Sequence, residues 1–319
     1  MTHHQPKALT AAASVGVGVL VALQSRVNAE LTDRVGAGVL AAAISFGTGL
    51  ILVAVMMLSR KPLRQSLRLI PESIRAGQLR VWHLLGGLGG AWLVTTQGLV
   101  VGVVGVTTFT IGVVAGQVSG SLLVDRIGLS PAGRMFITAN RAIAAAVALF
   151  AVALSGLSSG GFTFSFVVLF AVSAGFGVSV QQAINARVAV ATHQSLAATL
   201  VNFVVGFTGL FLVSVVAMSL GTITFQGWPG QWWLYLGGPI GVTFIALAAW
   251  AVRGVGVLVF GLLSIAGQLF GSVAVDLALP AHETSLGWAQ WLGMVVIALA
   301  VTIATLPGAA RSARRRLGR

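Results

Sequence analysis

The chain has 319 residues, of which 57% are hydrophobic and 8% are charged, and its formal net charge is +13. So few charged side chains cannot cover a water-soluble globule of this size, so the composition places the chain in a lipid bilayer. It contains no cysteine, which excludes disulfides, thiolate metal sites and thiol catalysis.

Apolar stretches long enough to cross a bilayer follow one another along the whole chain. A helix needs about 20 residues to cross about 30 Å of hydrocarbon at about 1.5 Å per residue. We predict spans at 8–29, 36–58, 82–102, 104–124, 134–155, 162–183, 195–219, 232–252, 255–275 and 287–306. Spans three and four, and spans eight and nine, have almost no residues between them, and we place those tight turns at Gly102 and Arg253.

The basic residues are distributed by membrane side. With the amino terminus inside, all of the 19 Lys and Arg residues except Arg26 and Arg34 fall on the cytoplasmic side, as the positive-inside rule requires. We therefore expect a multi-pass membrane protein with both termini in the cytoplasm. The net charge and the arginine-rich tail also suggest nucleic acid. However, residues distributed in this way form no basic module, so the expected partner is the lipid bilayer and not nucleic acid.

Two segments of the first half recur in the second half. Residues 105–125 align without a gap to 256–276 and are identical at ten of 21 positions, and residues 21–31 align to 178–188. The offsets are 151 and 157, so the first half carries a connection six residues longer. A duplication of this size decides architecture before any single motif does.

The duplication divides the chain into two five-helix units, 1–156 and 157–319. Five is an odd number, so the second unit enters the membrane from the opposite side. The predicted fold is therefore an all-α integral membrane protein with ten transmembrane helices arranged as two inverted five-helix repeats. In transporters, inverted repeats commonly enclose a substrate site near the midplane and work by alternating access.

Polar residues within the spans are the candidates for function, because a polar side chain in hydrocarbon is costly and usually faces the bundle interior or a water-filled cavity. Span directions sort the duplicated polar positions into two layers. The outer layer is Gln24, Asn28, Ser45, Gln268 and Asp276, and the inner layer is Gln181, Asn185, Asn202, Gln117 and Asp125. We interpret the Gln, Asn and Ser residues as lining two vestibules of one substrate pathway. The alternative is that these amides only tie neighbouring helices together.

Asp125 and Asp276 are the acidic residues present in both copies, which makes them candidates for proton or cation coupling. The alternative is structural: each ends its helix near the interface, where a carboxylate stays hydrated, pairs with Arg126 or caps a turn. No acidic residue lies at a clear midplane position, so the sequence does not reveal the energy source.

Other conspicuous residues have structural explanations. Glycines at four-residue spacing predict tight helix packing; they are Gly112, Gly116, Gly120, Gly267 and Gly271. Tryptophans near span ends predict an interfacial belt; they are Trp228, Trp232, Trp233 and Trp288. Trp92 lies deeper and is a candidate wall of a cavity. Arg141 is expected to snorkel toward the cytoplasm, with anion binding as the alternative.

The duplicated motifs resemble a known family. A Gln and an Asn four residues apart near the end of the first helix, and A-G-Q-x-x-G-S ahead of an Asp in the fourth, are similar to YdcZ-type bacterial membrane proteins. The fourth-helix motif is carried by Ala115, Gly116, Gln117, Gly120, Ser121 and Asp125, and again by Ala266, Gly267, Gln268, Gly271, Ser272 and Asp276. The resemblance covers essentially the whole chain. It implies the ten-helix fold of EamA-like carriers in the drug/metabolite transporter superfamily, in the cytoplasmic membrane, and it implies no particular substrate.

We therefore expect a secondary transporter that exports a small metabolite or drug-like solute by alternating access. An intramembrane enzyme needs a nucleophile with a base, or metal ligands. The spans hold no cysteine and no acid pair at one depth, so neither catalysis, nor a cofactor, nor a metal is expected. The alternatives are a lipid-carrier flippase, for which Arg26 and Arg141 are the only hints, and a non-transporting membrane scaffold. A homodimer is left open as the assembly.

Overall fold

The structure is a computed structural model that describes residues 7–129, 131, 133–134, 136–157, 162–255, 257–279 and 287–305. Within these residues every regular element is helical. The α-helices are α1 (Lys7–Val35), α2 (Gly38–Ser59), α3 (Lys61–Ser66), α4 (Leu69–Arg75), α5 (Gly87–Ile127), α6 (Ala139–Leu157), α7 (Phe162–Thr192), α8 (Ser195–Ser219), α9 (Gly237–Val255), α10 (Val257–Ala278) and α11 (Trp288–Thr305). Short 3-10 helices, Val81–Gly86 and Trp232–Leu236, lie directly before α5 and α9.

Helix α5 is two helices joined at a sharp break. Gly105 has φ 79° and ψ 164°, a conformation that residues with a Cβ rarely adopt. We call the part before Gly105 α5a and the part after it α5b. The break was expected at Gly102, and that prediction was wrong, because Gly102 stays helical. The turn expected at Arg253 is also misplaced: α9 continues to Val255 before α10 begins.

The long helices have the composition of membrane spans. Among the described residues, five segments are long and apolar enough to cross a bilayer: Ala8–Val35, Gly38–Ser59, Val81–Ile127, Val167–Thr192 and Ser195–Ser219. The third includes both α5a and α5b. Shorter apolar helices lie at Ala142–Ala151, Trp232–Ala248, Leu263–Ala278 and Trp291–Ala300. With α5 counted as two and the short α3 and α4 set aside, the described residues form ten long helices of an all-α membrane protein.

The two units repeat the same helix contacts. α5b packs against α7, and α10 packs against α1. A methyl group on Gly116 would overlap the carbonyl oxygen of Val172, and one on Gly267 would overlap the carbonyl oxygen of Val15. These glycines let the backbones approach each other closely. The packing role predicted for the glycine spacing is therefore confirmed.

α5a shows that equivalent regions of the two units lie at opposite ends of the bundle. The segment just before its start contacts α7, because Gly86 lies against the side chain of Asn185. Near its end, Gln97 bonds to Asn28 of α1. Eleven residues of helix separate Gly86 from Gln97, which is about 16 Å along the axis. Asn28 and Asn185 are equivalent in the duplication, so equivalent residues contact opposite ends of α5a.

The structure places Trp92 at the contact between α5a and α7. Its side chain is 37% exposed, its indole Nε1 donates a hydrogen bond to Ser173 Oγ at 2.9 Å, and its ring packs against Phe170. Trp92 therefore joins α5a to α7 at the surface of the bundle. The tryptophans predicted to form a belt are exposed. Arg141 lies in α6, and its side chain is outside the part of the molecule that the structure describes.

Candidate functional site

The first group of polar side chains gathers where the second half of α1 meets α2, the end of α5a and the start of α9. We call it the Asn28 cluster, and it consists of Gln24, Ser25, Asn28, Ser45, Gln97 and Gly237. All five side chains are buried, with exposed fractions from 0% to 5%. Three of them, Gln24, Asn28 and Ser45, are the sequence-predicted members of the outer layer.

A chain of hydrogen bonds connects α1 to α5a in the Asn28 cluster. Asn28 Nδ2 donates to Gln97 Oε1 at 2.6 Å. Gln97 Nε2 donates to Ser25 Oγ at 3.0 Å, and Ser25 Oγ donates to the carbonyl oxygen of Val21 at 2.9 Å. Each of these buried amides therefore has a partner across the helix interface, as burial of polar groups requires.

The start of α9 closes the same cluster. Gln24 Nε2 donates to the carbonyl oxygen of Gly237 at 2.7 Å. A methyl group on Gly237 would overlap Asn28 Oδ1, and Ser45 Oγ lies as near. Asn28 Oδ1 is buried and has no hydrogen-bond partner. The absence of a side chain at position 237 leaves the space that Asn28 Oδ1 occupies.

A second group of polar side chains lies at the other end of the bundle, where α7 and α8 meet the start of α5a. We call it the Asn185 cluster, and it consists of Gly86, Gln181, Asn185 and Asn202. Gln181 Nε2 and Asn185 Nδ2 both donate to Asn202 Oδ1, at 2.8 Å and 3.0 Å. A methyl group on Gly86 would lie 2.5 Å from Asn185 Oδ1. The three amides are the sequence-predicted members of the inner layer.

The two clusters are built from equivalent positions but differ in exposure. Gln24 and Asn28 are buried, whereas Gln181 and Asn185 are partly exposed. The same difference separates the fourth-helix residues, since Gln268 is 7% exposed and its counterpart Gln117 is partly exposed. The duplicated Gln and Asn residues are thus buried in one repeat and partly exposed in the other, whereas Ser45 and Asn202 are both buried.

Gln117 and Gln268 lie on the seams between the units rather than in the clusters. The Gln117 carbonyl oxygen accepts a hydrogen bond from Ser179 Oγ of α7 at 2.9 Å. The Gln268 backbone nitrogen lies beside Gly18 of α1. The structure therefore joins three members of each predicted layer by contacts and places the glutamines of α5b and α10 at the glycine-lined seams.

Asp276 closes the helix break at Gly105. Its Oδ1 accepts the backbone N–H of Val106 at 2.9 Å, and its Oδ2 accepts the backbone N–H of Thr107 at 2.7 Å. These are orphan donors at the start of α5b, where the helix dipole also favours a negative charge. Asp276 is 7% exposed and acts as the cap of α5b. Asp125 lies near the opposite end of that helix, about 28 Å along its axis, and is partly exposed.

Sequence reasoning missed Gln97, Ser25 and the two threonines that follow the break. Thr107 Oγ1 and Thr108 Oγ1 are buried without a hydrogen-bond partner. Gln97 and Ser25 have no identical residue at the matching position, so a search for duplicated polar residues passed over them. The signal that identifies Gln97 is simpler: it is an amide within an apolar span, and such residues usually have a specific partner.

Comparisons with known proteins agree with this architecture. A family model described as "Putative inner membrane exporter, YdcZ" matches residues 9–154 and 166–303. One solved crystal structure is similar over 98% of this chain and 99% of its own chain, with 18% sequence identity and a TM-score of 0.55. At that identity the likeness shows the fold alone. No curated protein matches the sequence significantly.

Proposed function

This chain belongs to the YdcZ family of inner membrane exporters, and from that premise we propose that it is a secondary transporter working by alternating access. Its cargo is a small metabolite or drug-like solute that leaves the cytoplasm. The duplicated amide residues line the two vestibules of its pathway, one at each end of the bundle.

The difference in exposure between equivalent residues is the observation that carries this proposal. A transporter of inverted repeats exposes one half-pathway while the other is shut, and the exchange of the two arrangements moves the substrate. Gln24 and Asn28 are buried while Gln181 and Asn185 are partly exposed, although the duplication makes the pairs equivalent. A scaffold with no transport cycle has no need for this difference in exposure between equivalent residues.

Asp276 enters the proposal as a gate residue and not as an ion site. Both carboxylate oxygens are already engaged by the N–H groups of Val106 and Thr107. Asp276 therefore stabilises the closed end by joining α10 to α5b.

Flux measurements on matched variants test the proposal. An uptake and efflux screen in a host that lacks the protein, with amino acids, small amphiphiles and organic cations, identifies a transported probe. We expect Gln24→Ala and Gln181→Ala each to lose flux of that probe at normal membrane expression. The matched control is Gln182→Ala, because Gln182 is exposed and lies beside the cluster. If these variants lower the amount of protein in the membrane but leave the flux per molecule unchanged, that result would contradict the pathway role.

We further propose that both termini are cytoplasmic, from the distribution of basic residues. The cysteine-free chain permits a direct test with single cysteines at two exposed positions, Gln78 and Thr222. In intact cells, a membrane-impermeant maleimide is expected to label Thr222→Cys and to spare Gln78→Cys until the membrane is opened. The opposite pattern would reverse the orientation and leave the fold unchanged.

A further inference from the structure

Gln97 is the one amide that ties α5a to α1 in the described part of the chain. Its side chain is 0% exposed. It accepts a hydrogen bond from Asn28 Nδ2 at 2.6 Å and donates one to Ser25 Oγ at 3.0 Å. One residue further on, a methyl group on Gly98 would overlap Thr32 Oγ1. The end of α5a is therefore pressed against the end of α1, with Gln97 at the centre of the contact.

The second repeat has no such residue. The offset of 151 that aligns the fourth helices places Ala248 of α9 opposite Gln97, and a methyl group forms no hydrogen bond. Among the described residues, α7 packs extensively against α5 and α8, whereas α9 makes no comparable contact with it. Ala248 and Asn185 are both partly exposed. The contact that shuts the first cluster has thus no counterpart at the second.

We propose that Gln97 is a latch that holds the Asn28 end of the pathway closed, and that alanine at position 248 leaves the Asn185 end open. This inference rests on the proposed transport function and identifies the residue that sets its conformational equilibrium. Opening the Asn28 end requires α5a to leave α1, which breaks the bonds from Gln97 to Asn28 and Ser25. Closing the Asn185 end requires α9 to approach α7 with no amide to hold it. The equilibrium between the two arrangements is therefore biased by residue 97 in the first repeat and by residue 248 in the second.

The absence of native cysteines allows each end to carry a single reporter thiol. Ser45→Cys is nearly isosteric and places the thiol at a 2% exposed position of the Asn28 cluster. Ala186→Cys places it beside Asn185 at a partly exposed position. The purified protein in lipid nanodiscs exposes both ends to an impermeant maleimide. With Gln97 present, we expect slow labelling of Ser45→Cys and fast labelling of Ala186→Cys.

Reciprocal substitutions then test the latch. Gln97→Ala removes two hydrogen bonds, so labelling of Ser45→Cys is expected to accelerate roughly 10-fold. Gln97→Asn, which is one methylene shorter, should act in the same direction if the alanine variant fails to fold. Ala248→Gln adds an amide that meets Asn185 when α9 closes on α7, so it should slow labelling of Ala186→Cys.

The outcomes separate the latch from the transport proposal. Labelling rates that stay unchanged in folded Gln97 and Ala248 variants would overturn the latch, even if the protein transports its probe. Labelling rates that change as expected, in a protein that moves no solute in the flux screen, would support the latch and overturn transport. The labelling assay needs no substrate, so neither result depends on the other.

Discussion

The Asn28 and Asn185 ends of the bundle are built from equivalent residues and differ in how deeply those residues are buried. Each has a glutamine and an asparagine four residues apart on one helix, and each places a glycine directly against that asparagine. At the Asn28 end the side chains are buried and bonded to α5a and α9, whereas at the Asn185 end they are partly exposed and bond to one another through Asn202.

The comparison teaches that the packing of a helix start and the burial of the nearby amides are separate properties. The starts of α5a and α9 are packed in the same way, because Gly87 contacts the Asn202 carbonyl and Gly238 contacts the Ser45 carbonyl. The ends of α5a and α9 differ, because only α5a carries an amide that faces the first helix of its own unit. The difference in burial therefore arises about three helical turns away from the shared glycine contacts.

The largest expected effect tests the claim that the starts of α5a and α9 are packed in the same way. Gly87→Ala and Gly238→Ala should each sharply reduce the yield of folded protein, because the added methyl group meets backbone atoms that cannot rotate away. Overpacking of this kind costs about 1–3 kcal/mol or more. Size-exclusion profiles and thermal unfolding of the two variants measure it. Gly102→Ala is the control, since nothing lies within 4 Å of that position. A tolerated change at one end alone would break the comparison.

An intermediate effect is expected at the α5b cap. Asp276→Ala leaves the N–H groups of Val106 and Thr107 without acceptors, so unfolding should become easier by about 1–2 kcal/mol. Asp276→Asn should recover part of that loss and keep transport, because an amide oxygen accepts one of the two N–H groups. Thermal unfolding and flux of the probe are the measurements, with the exposed Asp33→Ala as control. Abolished flux in a fully folded Asp276→Asn protein would instead favour ion coupling.

The smallest effect sharpens the difference in exposure. Asn202→Ala removes the acceptor of two amides. Asn202 itself is buried, but Gln181 and Asn185 are partly exposed, so water replaces their lost acceptor and the cost should be only about 1 kcal/mol. Ser45→Ala at the equivalent position should cost less. A differential scan of the two purified variants measures both. A loss of several kcal/mol at Asn202 would mean that the Asn185 end is as dry as the Asn28 end.

Most of the fold could be predicted because the bilayer imposes a minimum length on every crossing helix. The ten predicted spans coincide with the ten long helices to within several residues at most ends. The break between spans three and four was misplaced by three residues, because Gly102 and Gly105 stand in the same apolar context. What distinguishes Gly105 is a backbone angle, and the sequence offers the same residue at both positions.

The candidate site was predictable only where it is duplicated. Gln24, Asn28, Gln181, Asn185 and Asn202 were recognised by their matched positions, and contacts join them as two groups. Gln97 was missed because Ala248 stands at its matched position, and a comparison of the repeats selects residues that are polar in both. The residue that we propose as the latch is thus one at which the repeats differ.

The sequence by itself determined which residues are equivalent and, through the odd number of helices per unit, that equivalent residues lie at opposite ends of the bundle. Only the tertiary structure decided which cluster has its Gln and Asn side chains buried and that Asp276 caps α5b. Membrane insertion depends on the summed apolarity of about 20 residues per span, and that sum is legible in a single chain. The contacts that bury the Asn28 cluster are a few hydrogen bonds between residues about 70 positions apart in the chain, and such contacts become visible only when the helices are packed.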